Sequence, residues 1–226
     1  GYLLLFYFHF FGYINAMRIE RIEHPQDLSQ LVEQDIVQLS VQKAGTLCIA
    51  LPGGRSAQYI VKGLLSVDKD IQKRIRLYLV DERLEGEHNL DTLVQAGLTD
   101  AFALSQLSIP VPGEELPPSL FDRVYLGVGE DGHIASLFPG SWPEQEKVQV
   151  KVIDRSPKPP NRRATFTFYG FSTLAAQSRI VMLFFGEGKR DALARLLGGK
   201  EQADTLPCAF FRDKRFSTLI ITDLKE

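Results

Sequence analysis

The sequence predicts an α/β fold, a single Rossmann-like domain with a mainly parallel central sheet and helices on both faces. Three observations predict it. Apolar runs of strand length alternate with segments of helical pattern. The runs are almost continuously hydrophobic, as strands are when helices cover both faces of a sheet. The chain has 226 residues, 44% of them hydrophobic and 24% charged, enough for a real core and the composition of an ordinary globular protein.

A first strand is expected just after Met17, in "MRIERI". Further strands are expected at "TLCIAL" (46–51), "IRLYLVD" (75–81), "DRVYLGV" (122–128), "VQVKVID" (148–154), "ATFTFY" (164–169), "RIVMLFFG" (179–186) and "STLIIT" (217–222). Helices are expected at roughly 25–42, 56–66, 89–97, 171–177 and 188–198. The short strands between 148 and 169 interrupt the alternation and are read as a place for antiparallel pairing. "SIPVPGEELPPS" (108–119) and "RSPKPPN" (155–161) are proline-rich connections rather than domain linkers.

The domain is expected to occupy residues 17–226. Residues 1–16 contain the apolar "YLLLFYFHFFGYI" and are expected to be no part of it. That stretch is shorter than the about 20 apolar residues a bilayer demands, and no basic segment precedes it as in a signal peptide. Gly1 stands where a Met would, and Met17 opens a more natural beginning, so residues 1–16 are read as an over-extended start. The formal net charge of -2 supplies no bulk attraction to nucleic acid or to an anionic membrane, so any anion must be attracted locally. Cys48 and Cys208 have no metal or redox spacing. A reduced, cytoplasmic setting follows. No metal, no nucleic-acid partner and no membrane are expected, and the oligomeric state is left open.

In a parallel sheet, ligands bind beyond the carboxyl ends of the strands. Four suggestive clusters all follow expected strands: "LPGGRSAQYI", "DERLEGEHN", "GEDGH" and "GEGKRDAL". The third belongs to Gly127-x-Gly129-x-x-Gly132, which has the letter pattern of a dinucleotide-binding turn. Such a turn must open a long helix toward a pyrophosphate. Here Pro139-Gly140 stops any helix early, and Glu130 and Asp131 would face two phosphates. Asp154, at about the right distance to mimic a ribose-binding acid, does not outweigh this, so no cofactor is expected.

"GEDGH" offers something else. Glycines on both sides allow a sharp turn that exposes Asp131 and His133 as an acid–base pair. The plain alternative is a tight turn with a solvated histidine. "PGGRS" reads as strand, turn and helix start, with free N–H groups, Arg55 and the Ser56 hydroxyl making an anion site. The plain alternative there is a glycine turn and nothing more. "GEGK" is not a P-loop, yet it puts Lys189 in the first turn of a helix, where a cation is disfavoured unless an anion joins it. Arg162 and Arg163 precede a strand. Three basic strand-end elements around one acid–base pair point to a phosphorylated small molecule.

Taken together, "LGVGEDGHIASLFPG", "LPGGRS", "VDER", "SPKPPNRRATFTF", "GEGKRDAL" and "LPCAFF" closely resemble the pattern of the 6-phosphogluconolactonases, within the glucosamine-6-phosphate isomerase/deaminase superfamily. The resemblance covers about residues 18–223. It implies hydrolysis of 6-phosphoglucono-1,5-lactone to 6-phosphogluconate in the pentose phosphate pathway, without metal or cofactor. It implies that His133 deprotonates a water with help from Asp131. Gly53, Gly54, Arg55 and Ser56 would cradle the phosphate with Arg163 and Lys189 as cationic partners, and Asp81 and Arg83 would line the sugar side.

This chain departs from the family pattern in two places. Leu84 follows "DER" where the family has a Trp, and His88-Asn89 stands in a shortened loop. The segment between "PVPGE" and Phe121 is also trimmed. Two other readings remain. Amino-sugar-phosphate isomerases resemble "DGHIA" but carry an acid five residues after the His, where this chain has Phe138. A non-catalytic sugar-phosphate-binding protein of the same fold is the other.

Overall fold

The computed structural model describes residues 17–140 and 147–225. The expectation about residues 1–16 lies outside the described residues. The chain runs β1 (Met17–Arg21), α1 (Leu28–Gln42), β2 (Leu47–Leu51), α2 (Ala57–Ser66), α3 (Lys69–Arg74), β3 (Ile75–Leu79), β4 (Asp81–Arg83) and α4 (Asn89–Gln95). It continues β5 (Leu107–Ser108), β6 (Arg123–Gly127), β7 (Val150–Ile153), β8 (Arg163–Phe166), α5 (Phe168–Leu174), β9 (Arg179–Phe184), α6 (Arg190–Gly198) and β10 (Ser217–Thr222).

Among the described residues seven strands form one sheet in the order β1-β10-β9-β6-β2-β3-β5, every neighbouring pair parallel. Alternation along the strands divides the core in two. Leu47, Ile49 and Leu51 of β2 pack with Val32 and Ile36 of α1 and with Ile60 and Leu64 of α2. Cys48 and Ala50 face the other way, toward Phe171 and Leu174 of α5 and Leu193 and Leu196 of α6. Helices therefore cover both faces, as the apolar runs predict. Strand order reverses at β2: β3 lies on one side of it and β6 on the other. The crevice between β2 and β6 is thus the switch point at which α/β sheets bind ligands.

Besides β5, a two-residue strand that no expectation covers, three elements differ from the expectations. The run 75–81 is two strands, because the chain leaves the main sheet at Val80, and β4 joins β8 and β7 in an antiparallel sheet of order β4-β8-β7. The run 164–169 stops at Phe166, because the Thr167 hydroxyl accepts a hydrogen bond from the Gly170 amide at 2.8 Å and starts α5 three residues early. Phe168, Phe171 and Leu174 then recur at helical spacing on its buried face. The third is α3, which carries its own signals: Asp68 accepts from the Asp70 amide at 2.8 Å, and Lys73 and Arg74 occupy the last turn. No helix among the described residues is long and apolar enough to cross a membrane.

At the amino ends of the strands, Asp35 of α1 ties the sheet together. Its carboxylate accepts from Arg123 Nε at 2.9 and 2.8 Å, from Arg179 Nη1 at 3.0 Å and from the Tyr125 hydroxyl at 2.9 Å. Arg123 is buried. Asp35→Ala strands that guanidinium without a counter-charge and is expected to cost about 3–5 kcal/mol of unfolding free energy, measured by urea denaturation; a loss under about 1 kcal/mol would show the cluster to be dispensable.

Candidate active site

The loops that follow β2, β6 and β9 are neighbours at the carboxyl edge of the sheet, because those strands are adjacent. The loop after β6 holds the acid–base pair. After Gly127 no helix opens. The chain folds back on itself, with Gly129 N–H donating to the His133 carbonyl at 2.8 Å and Gly132 N–H to the Gly129 carbonyl at 3.0 Å. Isolated antiparallel bridges join Val128 to Ile134 and Ile134 to Leu137. The glycine pattern therefore builds a tight turn and not a dinucleotide fingerprint.

Inside this turn His133 Nδ1 lies 2.5 Å from Asp131 Oδ1, which also accepts from the His133 amide at 3.2 Å. Burial alone would push the Asp131 carboxyl up. The hydrogen bond from the His133 ring, the charges of His133 and Lys158 and the amide of His133 outweigh it and hold Asp131 down to about 2. An ionised carboxylate only accepts, so Nδ1 carries the proton and Nε2 keeps its lone pair. Burial also pushes the imidazole below its ordinary 6.5. Asp131 pulls it back up, Lys158 and Lys189 push it down, and the balance stays low. A neutral base is the result at neutral pH. The ring packs on Phe138, centroids 4.6 Å apart. Gly129 is required by contact: a Cβ there would stand 1.8 Å from His133 Nδ1 and 2.6 Å from Asp131 Oδ1.

Two cavities meet at this histidine. One, of about 400 Å³, is lined by Gly53, Gly54, Arg55, Ser56, Gly129, His133 and Lys189. Here Ser56 is the residue before the first turn of α2, and Lys189 stands at the same place before α6. Burial lowers the Lys189 ammonium, the Glu130 carboxylate raises it, and Arg55 and Lys158 lower it again; the outcome is below the ordinary lysine value. Arg55 and Lys189 thus face one space with helix amino ends beside them, the makings of an anion cradle.

The second cavity, of about 130 Å³, shares Gly53, Gly54, Gly127 and His133 and adds Asp81, Arg83, Asn89 and Arg163. Asp81 is buried, which raises its carboxyl, while the Ser136 hydroxyl and Arg163 act against that rise. Ser136 Oγ donates to Asp81 Oδ2 at 2.6 Å, and Asn89 Nδ2 donates to the Asp81 carbonyl at 3.0 Å. Arg83 and Arg163 are registered across β4 and β8. The Nε of Arg83 is buried and has no hydrogen-bond partner among the described residues.

The structure therefore brings Gly53, Gly54, Arg55, Ser56 and Lys189 together, and brings Asp81, Arg83 and Arg163 together, with Asp131 and His133 at the junction. It does not put Arg163 beside Arg55 and Lys189. The Arg163 guanidinium instead donates to the carbonyls of Lys158, Pro159 and Pro160 at 3.1, 2.9 and 3.1 Å and lies 5.7 Å from the Phe138 ring centroid.

In the shortened loop, His88 Nδ1 is 2.7 Å from the Arg83 carbonyl, and Asn89 fills the space beside Gly53. Reading the sequence missed Glu82, which accepts from the Asn89 and Leu90 amides at 2.6 and 3.0 Å and so anchors α4. It missed Ser136 too, although "IASLF" was in view. It also missed Lys158, within "SPKPP", whose Nζ lies 3.4 Å from Asp131 Oδ2.

Comparison with known proteins identifies the family. The family model described as glucosamine-6-phosphate isomerases/6-phosphogluconolactonase matches residues 91–220. A Caenorhabditis elegans protein provisionally named 6-phosphogluconolactonase is 30% identical over 216 residues, which are 83% of this chain and 78% of that protein. The chain belongs to this family. A 6-phosphogluconolactonase of Chlamydia muridarum is 28% identical over 206 residues, covering 81% of this chain and 79% of its own length. Among solved structures, the 6-phosphogluconolactonase of Thermotoga maritima superposes with a TM-score of 0.72 over 91% of this chain and 99% of that one, at 21% identity. The glucosamine-6-phosphate isomerase/6-phosphogluconolactonase fold is thus shared from end to end of that structure.

Within this family member, the Asp131 charge and hydrogen bond are what hold the His133 imidazole up against burial. Asp131→Asn is expected to lower the His133 titration midpoint further, followed by NMR of the imidazole resonances against pH. An unchanged or higher midpoint would contradict the arrangement.

Proposed function

We propose that this chain hydrolyses 6-phosphoglucono-1,5-lactone to 6-phosphogluconate, a step of the pentose phosphate pathway. The observation that carries the proposal is His133: neutral, oriented by Asp131 at 2.5 Å, and half-buried on the wall shared by a cationic cradle and a polar cavity. A lactone is an activated ester and asks for little beyond a placed base, a bound water and stabilisation of the developing oxyanion.

In this proposal the backbone of Gly53 and Gly54, the Ser56 hydroxyl, Arg55 and Lys189 bind the 6-phosphate. Asp81 and Arg83 contact the sugar. Arg163, expected as a phosphate cation, is reassigned to the sugar side, where its guanidinium faces Asp81 and Arg83. His133 Nε2 takes a proton from water as the water oxygen bonds to the lactone carbonyl carbon. The tetrahedral oxyanion then collapses, the bond from that carbon to the ring oxygen breaks, and the ring oxygen leaves as a hydroxyl carrying the proton from Nε2. The carboxylic acid so formed ionises to the product. Asp131 holds the ring and offsets its transient positive charge.

Phe138 argues against the amino-sugar isomerase reading. That position would carry a ring-opening acid, and here it is a buried phenyl packed on the imidazole. Two unpaired buried cysteines, Cys48 and Cys208, accord with a reaction in the cytoplasm.

His133→Ala is expected to lower kcat by about 10²–10⁴-fold, measured above the spontaneous opening of the lactone, while binding of 6-phosphogluconate stays near wild type. Near-normal turnover would remove His133 from the chemistry. Lys189→Ala removes a charge-assisted hydrogen bond worth roughly 1.5–3 kcal/mol, so KM should rise about tenfold or more. The unphosphorylated gluconolactone should be a poor substrate and no poorer for the variant. Equal losses on both substrates would move the phosphate elsewhere.

A further inference from the structure

We infer that Lys158 is a positioning residue for this reaction, acting through Asp131 to keep His133 in its proton-accepting form; the inference rests on the hydrolytic function proposed above. The Asp131 carboxylate is shared. Its Oδ1 holds the imidazole Nδ1, and its Oδ2 lies 3.4 Å from Lys158 Nζ. Lys158 Nζ is also 3.4 Å from His133 Nδ1. An ammonium has no lone pair and Nδ1 already donates to Asp131, so this second approach is one of charge and not a hydrogen bond.

An exposed lysine–carboxylate pair on a flexible stem is ordinarily worth little. Lys158 differs in how its backbone is held. Its amide donates to the Ser156 hydroxyl at 3.2 Å, and the Ser156 amide donates to the Asn161 carbonyl at 2.9 Å. The buried Arg163 guanidinium then grips three successive carbonyls, those of Lys158, Pro159 and Pro160. A buried cation that donates through Nε and Nη2 to one proline-rich loop fixes the point from which the Lys158 side chain departs. What the loop presents to the site is that side chain.

The chemistry explains the need. Asp131 must orient the ring, yet a lone carboxylate beside an imidazole also favours the imidazolium, which cannot accept the proton of water. A cation on the far oxygen of Asp131 keeps the orienting hydrogen bond and offsets the charge. Other charged groups face His133 from each neighbouring loop: Lys189 before α6, with Glu130 beside it, and Asp81, Arg83 and Arg163 across the smaller cavity. Lys189 pushes the ring the same way as Lys158 in the free protein. A phosphate dianion on Lys189 would cancel that push. Lys158 is then the cation beside Asp131 that keeps the base neutral in the substrate complex, so its effect should be larger on kcat than on kcat/KM.

The test has two arms. In ligand-free protein, the His133 imidazole is titrated by NMR in wild type, Lys158→Gln, Lys158→Met and Lys158→Arg, its resonance assigned by its loss in His133→Gln. The neutral variants should raise the His133 midpoint, and Lys158→Arg should restore it toward wild type. Lactone hydrolysis is then followed against pH, above the spontaneous rate. The variant-to-wild-type ratio of kcat should be at least about threefold lower near pH 5.5 than near pH 7.5, because the acid limb moves up. An unmoved His133 midpoint, or a loss of rate equal at all pH values, would overturn the inference. If wild type fails to hydrolyse the lactone at all, the proposed function falls, and the NMR titration still decides whether Lys158 governs the histidine.

Discussion

The site depends on one close approach, that of the His133 imidazole to the backbone of Gly129. The ring occupies the place where any side chain on that residue would stand. Only with that place free can the chain turn back within four residues, bond Gly129 N–H to the His133 carbonyl, and bring the ring onto Asp131. The back of the turn is equally tight: Leu206 would meet a Cβ on Gly132 at 2.2 Å, and Cys208 N–H donates to the Gly132 carbonyl at 3.0 Å. The acid–base pair is therefore set by the backbone on both sides, with little freedom left to the side chains.

The two edges of the sheet do different work. At the amino ends, Asp35 gathers Arg123, Arg179 and Tyr125 into a closed cluster in which each charge has a partner. At the carboxyl ends cations gather around the histidine: Arg55 and Lys158 lower the Lys189 ammonium, and Lys158 and Lys189 lower the His133 imidazole. An arrangement of like charges costs stability until an anion arrives, which is the usual mark of a binding site. The fold places a closed charge cluster at one edge and a gathering of cations around His133 at the other.

Much of this was legible in the sequence. The near-continuous apolar strands β2, β6, β9 and β10 announce a covered parallel sheet, and position after strand ends singles out four of the segments that line the cavities. The pieces that escaped have physical reasons. Val80 is as apolar as its neighbours, so nothing local says that the chain changes sheets there. Phe166, Phe168 and Phe171 satisfy both strand and helix patterns, and the hydroxyl of Thr167 decides between them. Arg163 reads as a free cation, because hydrogen bonds from a guanidinium to carbonyls of its own loop leave no trace in composition. Lys158 was hidden for the same reason, since its importance comes from where Arg163 holds its backbone. The meaning of Asn89 likewise rests on distant contacts, with Gly53 and Asp81.

The strand order has a consequence for how the molecule is made. Among the described residues β1 has one neighbour in the sheet, β10, and Met17 is registered with Thr218, about 200 residues later. A chain emerging from the ribosome amino end first must hold β1 without this partner until residues 217–222 have been synthesised. One edge of β9 likewise awaits β10, and the Asp131–His133 turn awaits the segment around Leu206 that backs Gly132. Such distant pairings are slow to close. The nascent protein therefore passes through an interval in which β2, β3 and β6 can assemble while β1 and the Asp131–His133 turn wait for the segments around Leu206 and Thr218 to arrive.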